Sequence, residues 1–211
     1  MKDLCICFVI ASTLVFGVCY IIQVKRKEAE ATLSTWIILV VGCSLSFGTY
    51  WVAKNHDIES GIMNTVDVFY VFMVMVGVFF WGDRKKMKSH EKWYLAAVVC
   101  IVAYAFGTGD MYKSNWFTQA LIAFAYIPMF HRMLKEKKKK DSYFGWIPAA
   151  GNALVALYPA LCDGNDLAVA YAIRAFIFAT ITSAMMAYYQ LRARRSKCEA
   201  STVRREVRND Q

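Results

Sequence analysis

Catalytic signatures are missing from this chain. No HExxH, GxSxG or phosphate-binding glycine loop occurs, and the three histidines (56, 90 and 131) fall in loops or at the ends of apolar stretches. The usual metallohydrolase, serine-hydrolase and nucleotide-binding readings are thereby excluded, and no enzyme activity is expected. The seven cysteines contain no CxxC pair and no metal-ligand spacing, so neither a metal nor a cofactor is expected. The last apolar segment holds no lysine, which excludes a retinal-type sensor. Prolines number only three, at 128, 148 and 159.

What fills the chain instead is apolar. Of 211 residues, 58% are hydrophobic and 15% aromatic, in helix-length runs that a soluble domain does not carry. Mean hydropathy is held to +0.34 because the charge, +9 overall, is concentrated in loops and the tail. These lysines and arginines flank apolar spans, so they read as solvated loops near anionic headgroups and not as a nucleic-acid surface. The lipid bilayer is the expected partner.

Seven segments have the length of a membrane-crossing helix: Cys5–Val24, Leu33–Ala53, Gly61–Trp81, Trp93–Gly107, Asn115–Leu134, Tyr143–Leu161 and Leu167–Tyr189. The fourth is short and the second rich in small residues. Lys25-Arg26-Lys27 directly follow the first, with no small-x-small site before them, so it reads as a span and not a signal peptide. Basic residues after segments one, three, five and seven total 21, against Lys2, Lys54 and Lys113 on the other side. That bias predicts an N-terminus outside and a cytoplasmic C-terminus, in a plasma or bacterial inner membrane. Trp36, Trp51, Trp81, Trp93, Trp116 and Trp146 read as interfacial anchors. Cys5, Cys7 and Cys162 fall on one membrane side, leaving a disulfide open. The tail from 192 to 211 reads as a flexible basic extension.

Laying segments one to three over five to seven aligns Trp36 with Trp146 and brings Asp67 near Arg174. The fold expected is therefore all-α and polytopic: two parallel three-helix repeats (1–82 and 115–191), a linker-helix region (83–114) and the tail (192–211). Three-plus-one-plus-three spans with the N-terminus outside resemble the SWEET, SemiSWEET and PQ-loop membrane proteins. The local match is Pro128, then a basic loop, then Ser142-Tyr143-Phe144, although Met129 replaces the family's glutamine and the first half lacks the proline. The resemblance implies a sugar-like solute, with Asp67 and Arg174 near the positions of the family's substrate-facing asparagines. Nicotinamide-riboside-type transporters and KDEL-receptor-like proteins share this general architecture, so the fold alone does not select a cargo.

Arg174 stands inside the seventh segment, where a guanidinium in hydrocarbon costs roughly 3 kcal/mol or more without a partner or a wet cavity. Asp67 lies at a matching depth in the third segment, so a direct pair is geometrically allowed. Asn64, one turn before Asp67, and Asn152, beside Gly151, complete the expected solute-binding set. Gln119 and Tyr126 read first as helix-packing residues. Pro128 and Pro148 are expected hinges. The function expected is movement of a small polar solute by alternating access. The alternative is a non-transporting receptor or scaffold of the same fold, and assembly as a homo-oligomer is left open.

Overall fold

The computed structural model describes residues 1–29, 31–54, 57–82, 89–136 and 143–209. The basic loops 83–88 and 137–142, which carry much of the charge asymmetry, lie outside the described residues. The fold is all-α, with seven helices among the described residues: α1 (Lys2–Lys25), α2 (Leu33–Ala53), α3 (Ile62–Trp81), α4 (Ser89–Thr108), α5 (Met111–Glu136), α6 (Tyr143–Cys162) and α7 (Asp166–Asn209).

Five of them, α1, α2, α3, α6 and α7, are long and apolar enough to cross a membrane. The outward faces agree. Phe8, Leu14, Phe69, Phe80, Phe106, Phe124, Leu154 and Ile181 are all exposed, an apolar surface suited to lipid and not to water. This is a membrane protein. α5 falls short on composition because its inward face is polar: Ser114, Asn115, Thr118 and Gln119 are buried, while Phe117, Phe124 and Ile127 face out.

Two departures from the sequence reading concern helix ends. α4 is 20 residues long, extending past the short segment read from 93 to 107. The basic tail is helical to Asn209 and not an irregular extension. No proline or glycine interrupts positions 166–209, and Arg, Glu and Ala are strong helix formers.

Within the first three helices, α3 packs against both α1 and α2; within the last three, α7 packs against both α5 and α6. The two groups meet where α1 lies on α6, α2 on α5 and α3 on α7, while α4 rests on α2 and α5. Close approach of α1 and α3 uses glycine: a Cβ on Gly77 would sit 2.8 Å from the Ile21 side chain.

Turns at one end of the bundle are tight. Gly164 adopts φ +59°, and the Asn165 amide donates back to the Ala160 carbonyl, closing α6 in the left-handed glycine cap. Asn165 then caps α7 by accepting from the Ala168 amide. The same amide side chain donates to the Tyr50 hydroxyl at 2.8 Å and to Ser60 Oγ at 2.6 Å, tying the α6–α7 turn to the α2–α3 loop. Lys2 pairs with Glu59 and Asp163, and Lys54 with Asp166. The lysines on this sparsely basic end are thus neutralised by acids from neighbouring loops; Lys113 pairs with Asp110. At the other end, Lys27 donates to the last-turn Trp81 carbonyl of α3 at 2.6 Å.

Candidate functional site

A cavity of about 70 Å³ lies between the two three-helix groups. Asp67 from α3 and Arg174 from α7 both line it, as does Tyr171, one turn before Arg174 on the same face. No direct ion pair joins the two charges, which corrects the simplest sequence expectation. Tyr171 connects them instead. Its hydroxyl donates to Asp67 Oδ2 at 2.8 Å, and the Arg174 guanidinium lies over its ring at 4.5 Å. A phenol serves both because its hydroxyl is a donor for the carboxylate and its ring face attracts a cation.

Arg174 is aimed by a second contact. Its Nε donates to Gln119 Oε1 at 2.8 Å, and the Gln119 amide nitrogen donates to Ser46 Oγ at 2.8 Å. Asn115, one turn before Gln119 on α5, donates to the Ser46 carbonyl at 2.8 Å and to Thr49 Oγ1 at 3.0 Å. Asn64 on α3 reaches the same Ser46 carbonyl at 3.4 Å. A buried polar network therefore runs from α3 through α2 and α5 to Arg174 on α7. Inside a bilayer such groups must find partners within the protein, and this network supplies most of them while holding the guanidinium through Nε.

Aromatic side chains form the rest of the wall. Tyr20, Trp36 and Tyr70 line it from the first three helices, and Tyr126 and Trp146 from the last three. They are joined as two clusters: Trp36 contacts Tyr20 (5.4 Å) and Tyr70 (6.1 Å), while Tyr126 contacts Trp146 (5.8 Å) and stacks on Phe178 (4.7 Å). Trp36 and Trp146 thus face the cavity and are not interfacial anchors. Trp93, 75% exposed, fits the anchor reading.

The four expected solute contacts divide. Asp67 and Arg174 share the cavity. Asn64 is buried behind it in the network, with its Oδ1 unpartnered among the described residues. Asn152 is elsewhere: Ser12 Oγ donates to its Oδ1 at 2.5 Å, and its Nδ2 donates to Thr13 Oγ1 at 2.9 Å. Both of these contacts are to α1, so it joins α1 to α6, and it is not among the residues lining the cavity. α6 continues through Pro148 and Pro159, and α5 continues past position 128. The cysteines described, 5, 7, 19, 43, 100 and 162, are all free thiols.

Tyr171, Ser46 and Asn115 were not singled out from sequence. Tyr171 and Asn115 carried a usable signal, since each lies one turn from a polar residue of the site on the same helix face. Ser46 carried none, because its carbonyl does much of the bonding and any residue type has one.

Among the described residues no group of three or more His, Cys, Asp or Glu is placed to hold a metal. No protein-family model, curated protein or solved structure matches this chain.

Proposed function

We propose that this is a seven-span carrier that moves a small polar solute across a plasma or bacterial inner membrane, with its N-terminus outside. The two three-helix groups are the moving halves, α4 is the linker, and the cavity between them is the solute site. One observation carries the reading: Asp67 and Arg174, from different halves, face one cavity with hydrogen-bonding capacity unspent. Arg174 uses only Nε, and Asp67 uses only Oδ2, for contacts to other described residues. Charges kept only to pin helices would be expected to close on each other, because intramembrane charge is costly.

The helix packing supports the repeat. In both groups the third helix lies between the other two, and the α1·α6 contact is mirrored by α2·α5. Matching aromatic clusters around Trp36 and Trp146 fit the same two-fold relation. Pro128 and Pro148 are the proposed hinges, since each removes a backbone hydrogen bond from a helix bordering the site.

Uptake into proteoliposomes across a panel of sugars, amino acids and nucleosides tests the proposal. Saturable flux of at least one solute, abolished in both Asp67→Asn and Arg174→Gln, is the expected result. Absence of flux across the panel, with ligand-dependent partner binding instead, favours a receptor.

A further inference from the structure

The charges in the cavity also limit what it can hold. We infer that the solute is a small zwitterion, one carrying an ammonium and a carboxylate on a short carbon frame. This rests on the proposal that the cavity is a solute site, and it departs from the sugar-like cargo implied by resemblance.

Asp67 and Arg174 sum to zero charge, so a net-neutral ligand leaves no uncompensated charge in the membrane interior. A neutral polyol would satisfy that condition but would leave both ionic groups without an opposite charge. A dipolar ligand meets both. Its carboxylate is received by the terminal nitrogens of Arg174, which have no acceptor among the described residues, in the two-pronged geometry a guanidinium offers. Its ammonium is received by Asp67 Oδ1, the oxygen that Tyr171 does not occupy. Trp36, Tyr70 and Trp146 line the same cavity, and aromatic rings attract an ammonium by cation–π interaction.

Size sets a second limit. The cavity, about 70 Å³, has room for about five to seven waters at roughly 10–15 Å³ each, the scale of glycine. A hexose or nucleoside would require the walls to separate. A small zwitterion fits as the cavity stands, and in bridging Asp67 on α3 to Arg174 on α7 it joins the two halves. Binding energy would then favour the arrangement in which the two halves meet over one in which they separate.

The test uses the full chain purified in detergent, with binding read by titration calorimetry and thermal shift. The probes are glycine, acetate, methylammonium and glucose. Saturable binding of glycine is expected, with acetate and methylammonium each about tenfold weaker or worse, because each keeps one charged contact of two. Glucose should not bind. Asp67→Asn should weaken glycine binding by about tenfold while sparing acetate, and Arg174→Gln should do the reverse with methylammonium. The parent series needs no variant, so a misfolded mutant does not undermine it. Glucose binding as tightly as glycine, or no zwitterion binding at all, overturns the inference. Zwitterion binding without flux in liposomes supports this inference and removes the carrier, whereas sugar flux without zwitterion binding keeps the carrier and removes this inference.

Discussion

Asp67 and Arg174 face one cavity from opposite halves of the bundle, and Tyr171 touches both. That arrangement differs from a simple salt bridge in a way that mutation can detect. A direct pair tolerates exchange of its members. Here each charge has its own dedicated neighbour, Tyr171 hydroxyl for the carboxylate and Gln119 Oε1 for the guanidinium. The double exchange Asp67→Arg with Arg174→Asp should therefore fail to restore either stability or binding. Thermal unfolding of the two single variants and the double in detergent checks this, and full recovery in the double would restore the direct-pair reading.

Removing only the Tyr171 hydroxyl isolates its role. Tyr171→Phe keeps the ring beneath Arg174 and deletes the donor to Asp67, so about 1–2 kcal/mol of stability should be lost. The melting temperature should fall by a few degrees. An unchanged melting temperature would mean that Asp67 finds an equivalent donor.

Asn152 separates structure from binding. Asn152→Ala removes both bonds to α1, but the single Ser12 hydroxyl hydrogen can then turn to the Phe8 carbonyl at 2.7 Å. A stability loss of about 0.5–2 kcal/mol is expected, in line with interhelical hydrogen bonds in membranes. Solute affinity of the folded fraction should not change. A tenfold loss of affinity would return Asn152 to the site.

Acid should loosen the end of the bundle that holds the α2–α3 loop. Burial works against ionisation of Asp57, but hydrogen bonds from the Ser60 hydroxyl and amide and from Asn165 outweigh it and hold the carboxyl below its ordinary 3.8. Because the folded value is depressed, this contribution is complete above the ordinary value and lost as pH falls through the folded one. The melting temperature should thus drop more steeply below about pH 4 in the parent than in Asp57→Asn. Parallel curves would mean that Asp57 is not the responsive group. Asp110, held low mainly by the Lys113 backbone amide, contributes in the same direction and remains in both proteins.

Much of this organisation was legible in residue order, and the limits follow from physics. Helix-length apolar runs and flanking charge locate the helices, since both are one-dimensional properties. Depth along a span is also one-dimensional, which is why Arg174 and Asp67 could be placed at one level. Rotation about the helix axis is not. Trp36 and Trp146 stand near helix starts, where an anchor and a cavity wall have the same sequence position and differ only in facing. Asn152 stands at mid-span beside Gly151, and only packing of α1 against α6 shows that Ser12 and Thr13 bond its amide. The tail's composition resembled an irregular extension, yet without a breaker the helical run of α7 carries on through it.

Alternating access requires the cavity to open to each side of the membrane in turn. Ala149 lines the cavity and carries no polar role, so Ala149→Cys is a suitable reporter. Proteoliposomes of known orientation would be treated with a membrane-impermeant thiol reagent on one side or the other, and modification at position 149 read by peptide mass spectrometry. Alternating access predicts modification from both sides and protection by bound solute. No modification at 149 from either side, while Cys162 at the end of α6 reacts from its own, would mean a dry, static core and would contradict it.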